Sequence, residues 1–188
     1  MMKRAYIIHR WGADSTSDWV PWLKEELDSR GIAAVSPDMP NTEYPSIAEW
    51  TSFIASLIAA PDSETYLIGH SVGCQAIVRY LSTLPEGTVV GKTVLVAPWT
   101  ALNQLKEDQK ETAKQWIETA IDWDSAKKHS KSFSVIYSDT DYHVSVENAT
   151  DFANKLGAKL ILEQNRGHFT DNDDVTQLPM LLSEILGD

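Results

Sequence analysis

A short glycine-flanked segment has the residue types and spacing of an activated serine. The sequence Gly-His-Ser-Val-Gly at 69–73 directly follows an apolar run at 66–68 and directly precedes a helical pattern. A G-x-S-x-G pattern between a strand and a helix is typical of a sharp turn that exposes a nucleophilic serine, and its glycines let the strand and helix approach closely. The pattern therefore predicts Ser71 as the nucleophile and the backbone amide of Val72 as one donor to an oxyanion.

A serine hydroxyl is a weak nucleophile unless a base accepts its proton. In this arrangement the usual chain order is serine, then an acid, then histidine. His168 stands in a Gly-His-Phe triplet just after the β-type run 159–162, on a predicted loop that follows this late strand. Among the other histidines, His9 ends the first predicted strand and His70 lies inside the serine turn. His129 lies in a lysine-rich stretch, and His143 lies close to the acid candidates. The order along the chain therefore favours His168 as the base.

Two aspartates compete for the role of the acid. Asp139 and Asp141 both follow the β-type run 133–137. Asp141 has a valine three residues later, Val144, and this spacing favours Asp141, while Asp139 is expected to cap or shape the loop. In the predicted triad, Asp141 accepts a hydrogen bond from one imidazole nitrogen of His168, sets its tautomer and stabilises the imidazolium as Ser71 attacks.

The loop after the first strand is expected to supply the second oxyanion amide. Its sequence at 9–12 is His-Arg-Trp-Gly. Position favours the amide of Trp11, with Arg10 as the alternative. A tight turn that merely carries a packing tryptophan is also compatible with this sequence.

Three side chains near these loops are candidates for the substrate pocket. They are Arg10, His70 and Trp99, and Trp99 follows the end of a predicted strand. The segment 100–131 is long enough to cover a site at this edge, and its helical pattern at 106–121 is compatible with a small flap.

The rest of the chain alternates short β-type runs with amphipathic helical patterns. Several runs are continuously apolar, which is typical of parallel strands covered on both faces. The alternation predicts one α/β domain over 1–188, with a parallel sheet, helices on both faces and functional loops at the carboxyl ends of the strands. The predicted strands are 5–9, 32–36, 65–69, 93–97, 133–137 and 159–162, and the predicted helices are 18–30, 46–60, 72–84, 106–121, 146–156 and 178–186.

Composition excludes several classes of function. The 188 residues include 16 Lys+Arg against 27 Asp+Glu, a formal charge of -11, so the surface repels phosphate backbones and anionic lipids. We therefore expect neither nucleic-acid nor membrane partners, and nothing in the sequence indicates a protein partner. The single cysteine, Cys74, fits a reducing compartment, and no apolar run is long enough for a signal-peptide core or a spanning helix. These features predict a cytoplasmic protein.

Together these motifs resemble the compact serine hydrolases typified by retinoblastoma-binding protein nine and the bacterial protein YdeN. The resemblance is carried by Trp-Val-Pro-Trp-Leu-Lys-Glu-Glu-Leu at 19–27, Asp-Met-Pro at 38–40, Ile-Gly-His-Ser at 68–71, Leu-Val-Ala at 95–97, Asp141 and Gly-His-Phe at 167–169. It implies a reduced α/β-hydrolase fold of about six strands without a large cap domain. It also implies a Ser–Asp–His triad, no cofactor, and esterase-like or amidase-like chemistry on small acyl compounds. Many members have glycine where this chain has Arg10, so the geometry of the oxyanion loop is open.

Three functions fit these residues to different degrees. The first is hydrolysis of small esters or related acyl compounds, thioesters and amides included, through an acyl-enzyme. The second is a protein-interaction member of the family with little or no catalytic activity, which has no need for a complete triad in order. The third is metal-dependent hydrolysis, for which the chain lacks the H-x-H and H-E-x-x-H spacings. Its candidate ligands would be His9, His143, His168, Asp171, Asp173 and Asp174. The complete triad favours the first.

Overall fold

The fold is built on a single parallel sheet. The computed structural model describes residues 2–187, and within them six strands pair in the order β2-β1-β3-β4-β5-β6. All five pairings are parallel. The strands are β1 (Arg4–Ile8), β2 (Ala33–Val35), β3 (Thr65–His70), β4 (Lys92–Val96), β5 (Phe133–Ser138) and β6 (Lys159–Glu163). The predicted α/β architecture and its six strands are confirmed.

Helices connect the strands on both sides of the sheet. They are α1 (Val20–Ser29), α2 (Ile47–Leu57), α3 (Val72–Leu81), α4 (Lys110–Glu118), α5 (Trp123–Ala126), α6 (Val146–Leu156) and α7 (Pro179–Leu186). Short 3₁₀ turns occur at Glu107–Gln109, Lys127–His129 and Asp171–Asp173. The helix predicted at 146–156 has its predicted bounds, the other predicted helices are confirmed with shorter bounds, and the pattern at 106–121 resolves into a 3₁₀ turn followed by α4. No helix within residues 2–187 is long and apolar enough to cross a membrane.

Two apolar clusters sandwich the sheet. One includes Trp50 of α2, Ile77 of α3 and Phe152 of α6. The other includes Leu23 of α1 and Leu181 of α7. Successive residues of a strand face opposite clusters, so the central strands carry consecutive apolar residues, such as Leu67 and Ile68 in β3 and residues 94–96 in β4, as parallel strands covered on both faces require.

Parallel strands place all their carboxyl ends at one edge of the sheet. The loops after β1, β3, β4, β5 and β6 therefore meet there, and these loops carry every predicted catalytic residue. The non-glycine residues with positive φ angles at this edge include Ser71 and Ala97, at 54° and 49°. Strained backbone of this kind concentrates at functional sites, so this edge of the sheet is where an active site is expected.

Candidate active site

Ser71 occupies the turn between β3 and α3 in a strained conformation. Its φ of 54° and ψ of -118° lie where non-glycine residues rarely occur. A Cβ atom at Gly69 would lie 2.9 Å from the Cα atom of Cys74, and one at Gly73 would overlap the carbonyl oxygen of Ile8. Only glycine at these two positions lets β1, β3 and α3 pack this closely around the serine.

Cys74 lies in the first turn of α3, behind the serine. Its side chain is fully buried, and its Sγ atom donates a hydrogen bond of 3.3 Å to the carbonyl oxygen of Val96. Burial raises the pKa of this thiol well above its usual range. The thiol is therefore a neutral packing group rather than a competing nucleophile.

The structure brings the three predicted triad residues into hydrogen-bonded contact. The Oγ atom of Ser71 lies 3.0 Å from Nε2 of His168, and Nδ1 of His168 lies 2.8 Å from Oδ2 of Asp141. The other carboxylate oxygen of Asp141 accepts hydrogen bonds from the amides of His143 at 2.8 Å and Val144 at 3.0 Å. Two amides thus orient the carboxylate, which leaves Oδ2 to accept from the imidazole.

Asp139, the other acid candidate, has a different contact. Its Oδ1 atom accepts a hydrogen bond of 2.8 Å from the amide of Asn165, in the loop that carries the base. Two further hydrogen bonds join the same loops, from the amide of Arg166 to Ser138 Oγ and from the amide of Gly167 to Thr140 Oγ1. Asp139 therefore shapes the contact between the acid loop and the base loop.

The main chain of His168 is held on both sides. Its amide donates to Oδ2 of Asp173 at 2.9 Å, and its carbonyl oxygen accepts from Nε2 of His70 at 2.9 Å. His70 is fully buried against the ring of Trp19, and burial lowers the pKa of His70. Its Nδ1 atom lies 3.6 Å from Oδ2 of Asp18. Contrary to the prediction, His70 is not on the wall of the cleft, because its ring lies behind the base and supports it.

Trp99 is also absent from the cleft wall, contrary to the prediction. The side chain is fully buried, and its indole Nε1–H donates a hydrogen bond of 3.1 Å to Oγ of Ser71. Its carbonyl oxygen accepts a hydrogen bond of 2.9 Å from Nε2 of Gln75. The indole therefore faces the serine from within the core rather than from the substrate side.

The loop after β1 is tied to the segment 39–43. Nδ1–H of His9 donates to the carbonyl oxygen of Arg10 at 2.9 Å, and Nε2 of His9 accepts from the amide of Met39 at 3.0 Å. The amide of Gly12 donates to the carbonyl oxygen of Thr42 at 2.9 Å. Burial lowers the pKa of His9, which favours the neutral ring that can both donate and accept. His9 thus fixes the loop in which the second oxyanion amide was predicted.

The two predicted oxyanion amides belong to Val72 and Trp11. Val72 is the first residue of α3, where helix amides have no partner within the helix. Within residues 2–187, neither of these two amides donates a hydrogen bond to another group. The indole of Trp11 donates to the carbonyl oxygen of Glu43 at 3.0 Å, which holds the residue in place.

Arg10 is paired with a buried carboxylate that sequence reasoning missed. Its Nε and Nη2 atoms donate to the two oxygens of Asp18 at 2.8 and 3.1 Å, and the amide of Asp171 also donates to Asp18, at 3.0 Å. The side chain of Asp18 is 0% exposed. Burial raises the pKa of this carboxyl, but the nearby His70 and Arg10 outweigh burial and hold the pKa well below its usual range. The one signal in the sequence is Arg10 itself, a charged residue in a loop where many members of the family that the chain resembles have glycine.

A cleft of about 370 Å³ opens above the serine and the base. Arg10 lies on its wall, as predicted, beside large side chains from three loops, which are Trp11, Leu102, Leu105 and Tyr142. The two leucines come from the segment 100–131, so the first part of that segment covers one side of the cleft. Within the described part of the chain, no three His, Cys, Asp or Glu side chains form a group that could hold a metal ion.

Comparisons with known proteins find a matching family model and two relatives. A family model described as serine hydrolase matches residues 5–185. The putative hydrolase YdeN of Bacillus subtilis (strain 168) is 31% identical over 185 residues, which cover 96% of this chain and 93% of YdeN. The serine hydrolase RBBP9 of Rattus norvegicus is 25% identical over 163 residues, which cover 86% of this chain and 83% of RBBP9.

Solved structures share the fold. The crystal structure of the ydeN gene product from B. subtilis superposes with a TM-score of 0.91 at 29% identity, covering 98% of this chain and 97% of that one. Est1E from Butyrivibrio proteoclasticus superposes with a TM-score of 0.73 at 16% identity, covering 98% of this chain and 89% of that one. The architecture is therefore that of the α/β hydrolases.

Proposed function

The chain belongs to the serine hydrolase family, and on that premise we propose that it hydrolyses small esters or related acyl compounds through an acyl-enzyme on Ser71. The observation that supports this most directly is the hydrogen-bonded series from Asp141 through His168 to Ser71. Thioesters and amides undergo the same steps, so they belong to the same proposal. The hydrolysis requires water as the second substrate and no cofactor.

Acylation begins when Oγ of Ser71 attacks the carbonyl carbon of the substrate. The Oγ–H bond breaks, its proton passes to Nε2 of His168, and the carbonyl π electrons move to the oxygen. Asp141 stabilises the imidazolium that forms. The amides of Val72 and Trp11 donate to the oxyanion, with the amide of Arg10 as the alternative to Trp11.

Collapse of this intermediate releases the first product. The carbonyl re-forms, the bond to the leaving oxygen, sulfur or nitrogen breaks, and His168 returns the proton to the leaving atom. Water then attacks the acyl-enzyme while His168 accepts a proton from it. The second intermediate collapses with release of the acid, and the proton returns to Ser71.

The size of the cleft supports a small substrate. Its volume of about 370 Å³ lies near the lower end of the range of about 300–1,000 Å³ typical of ligand pockets. Leucine and aromatic side chains on its wall suit a small apolar group, and charged side chains such as Glu43 and Lys106 line the cleft beside them. Because the cleft is small, short acyl chains should be better substrates than long ones.

Labelling with a fluorophosphonate probe tests the proposal. The wild-type protein should be labelled and should hydrolyse a short-chain p-nitrophenyl ester. Ser71→Ala should lose the label and several orders of magnitude in kcat, with about 10⁶-fold as the upper scale for this class of nucleophile.

Ser56→Ala, at an exposed serine of α2, is the matched control and should retain both properties. Absence of labelling in the wild-type protein, or labelling that survives Ser71→Ala, would overturn the mechanism. The first of these outcomes would favour the protein-interaction alternative.

A further inference from the structure

The buried tryptophans differ in what their indole nitrogens bind. The indoles of Trp50 and Trp116 donate to the carbonyl oxygens of Pro40 and Pro45, each at 2.8 Å. Such contacts are the ordinary way in which a buried indole N–H is satisfied. The indole of Trp99 instead donates to a side-chain hydroxyl, Oγ of Ser71, at 3.1 Å. A contact with the atom that is expected to react requires a separate explanation.

The main chain around Trp99 is held in this orientation from two helices. Gln75 of α3 donates to its carbonyl oxygen at 2.9 Å, and Asn148 of α6 accepts from the amide of Thr100 at 2.8 Å. Two residues earlier, Ala97 has a φ of 49°, which turns the chain sharply after β4. The main chain that carries the indole is therefore fixed, and the side chain itself is 0% exposed, so its surroundings hold the indole against the serine.

The orientation of Gln75 is itself determined by a buried arginine. Nη2 of Arg79 donates to Oε1 of Gln75 at 3.1 Å, so the amide nitrogen of Gln75 must point to Trp99. Arg79 also donates to three carbonyl oxygens at the end of α4, those of Trp116, Thr119 and Ala120. Burial lowers the pKa of Arg79 to about 10, so the guanidinium stays charged at neutral pH and continues to donate.

We infer that Trp99 is a catalytic residue whose indole N–H stabilises negative charge on Oγ of Ser71. The inference rests on the function proposed above. A neutral hydroxyl oxygen is a moderate acceptor, whereas hydrogen bonds to an ionised oxygen are shorter and about twice as strong. As the Oγ–H bond breaks and the proton passes to Nε2 of His168, the bond from the indole strengthens. An interaction that strengthens along the reaction lowers the barrier rather than merely binding the ground state.

The same contact acts again when the acyl-enzyme is hydrolysed. The bond between the acyl carbon and Oγ breaks, Oγ takes the electron pair, and His168 returns a proton to it. The indole N–H bond stays intact throughout, so Trp99 neither gains nor loses a proton. Its acceptor is the serine oxygen and not the carbonyl oxygen, which distinguishes this role from that of the oxyanion amides.

In the resting enzyme the indole also directs the serine proton. Oγ of Ser71 has one hydrogen to donate, and a bond accepted from Trp99 leaves that hydrogen for Nε2 of His168 at 3.0 Å. The hydroxyl is therefore oriented for transfer before the substrate arrives.

Trp99→Phe tests this role, because it removes the N–H and keeps an aromatic ring. Trp116→Phe is the matched control, since it removes an equally buried indole whose hydrogen bond goes to a carbonyl oxygen. We expect Trp99→Phe to lower kcat and the rate of fluorophosphonate labelling by about tenfold to a hundredfold, with KM little changed. The control should keep both rates within about threefold of wild type, since its hydrogen bond does not touch the reacting atoms.

Equal rates for two folded variants would overturn the inference while leaving the proposed function intact. Absence of labelling in the wild type would instead overturn the proposed function. Folding of each variant is checked by urea unfolding.

If Trp99→Phe does not fold, an NMR measurement on the wild-type protein provides a second test. Phosphonylation converts Oγ of Ser71 into an ester oxygen, which is a weaker acceptor. The indole proton of Trp99 should then move upfield while that of Trp116 stays in place. An unchanged Trp99 resonance would contradict the inference.

Discussion

The two sides of Ser71 hold their functional groups by different kinds of contact. On the side of β5 and β6, the carboxylate of Asp141 is oriented by amides two and three residues away, and the amide of His168 by Asp173, five residues away, while the distant His70 supports the carbonyl of His168. On the side of β1, His9 contacts Met39, 30 residues away, and Gly12 contacts Thr42. We call the first the acid–base side and the second the oxyanion loop.

Because of this difference, we expect substitutions on the acid–base side to change the catalytic rate and substitutions in the oxyanion loop to change the stability of the domain. On the acid–base side, local turns orient the carboxylate of Asp141, so a substitution at that carboxylate can change the chemistry while the fold persists. The oxyanion loop depends on a neutral histidine and on a carboxylate that is removed from solvent. Its geometry should therefore respond to pH and to loss of charge, through the stability of the whole domain.

The largest expected effect comes from Asp141→Asn on the acid–base side. The asparagine oxygen would keep the two amide contacts, and its NH₂ group would then face Nδ1 of His168. The ring would have to present the opposite tautomer, with Nε2 protonated and unable to accept from Ser71. We expect kcat to fall by about 10⁴-fold, with a urea unfolding midpoint close to wild type.

Asp139→Asn is the matched control for this prediction. An asparagine oxygen can still accept from the amide of Asn165, so kcat should stay within a few-fold of wild type. If Asp139→Asn were the more damaging substitution, the assignment of the acid would be reversed.

The next largest effect is expected at the oxyanion loop, as a loss of stability. Arg10→Met would remove the cation from a carboxylate that is 0% exposed, and breaking a buried pair in this way costs about 3–5 kcal/mol. The free energy of unfolding in urea measures the loss. Lys24→Met breaks the exposed pair between Lys24 and Asp28, whose side chains are 45% and 42% exposed, and should cost at most about 1 kcal/mol.

A double substitution shows whether the cost arises from the pair. In Arg10→Met/Asp18→Asn no buried charge is left alone, so the loss should be smaller than the sum of the two single losses. Strictly additive losses would mean that the two side chains act independently, and the contrast between the two sides of Ser71 would weaken.

The smallest effect concerns the pH dependence of stability. Burial lowers the pKa of His9 in the folded protein, while an unfolded histidine titrates near 6.5. Below about pH 6.5 the unfolded chain therefore binds a proton that the folded chain does not, and the free energy of unfolding falls as the pH decreases. Above that pH the contribution is complete. One histidine changes the slope by at most about 1.4 kcal/mol per pH unit.

His9→Gln should reduce this slope between pH 7.5 and 5, as followed by urea unfolding at each pH. His70 and His143, whose pKa values are also lowered by burial, should maintain part of the slope in the variant. A slope identical to that of wild type would show that His9 does not contribute.

The contrast also explains which features could be predicted from sequence. Runs of consecutive apolar residues, and a serine between two glycines, are patterns within a few residues. They predicted the sheet and the placement of Ser71, and chain order then led to Asp141 and His168. The shorter extent of α3, which ends at Leu81 rather than at 84, is a boundary difference of the kind that end fraying produces.

The features that could not be predicted depend on contacts between distant segments. The pairing of Asp18 with Arg10 requires the loop to fold back, and no pattern marks Asp18 as buried. The direction of the Trp99 indole depends on the positive φ of Ala97 and on Gln75, which lies 24 residues away along the chain. A tryptophan after a strand was compatible with the cleft wall or the core, and only the path of the chain after β4 decides between them.

Chemical modification of the buried thiol of Cys74 can be used to follow unfolding of the chain. It is the only cysteine in the sequence, and its side chain is 0% exposed in the fold. A thiol-reactive dye can therefore reach it only when α3 separates from the sheet. The rate of modification measures the opening of the structure around the nucleophile, so the susceptibility of the site to unfolding can be followed in the unaltered protein.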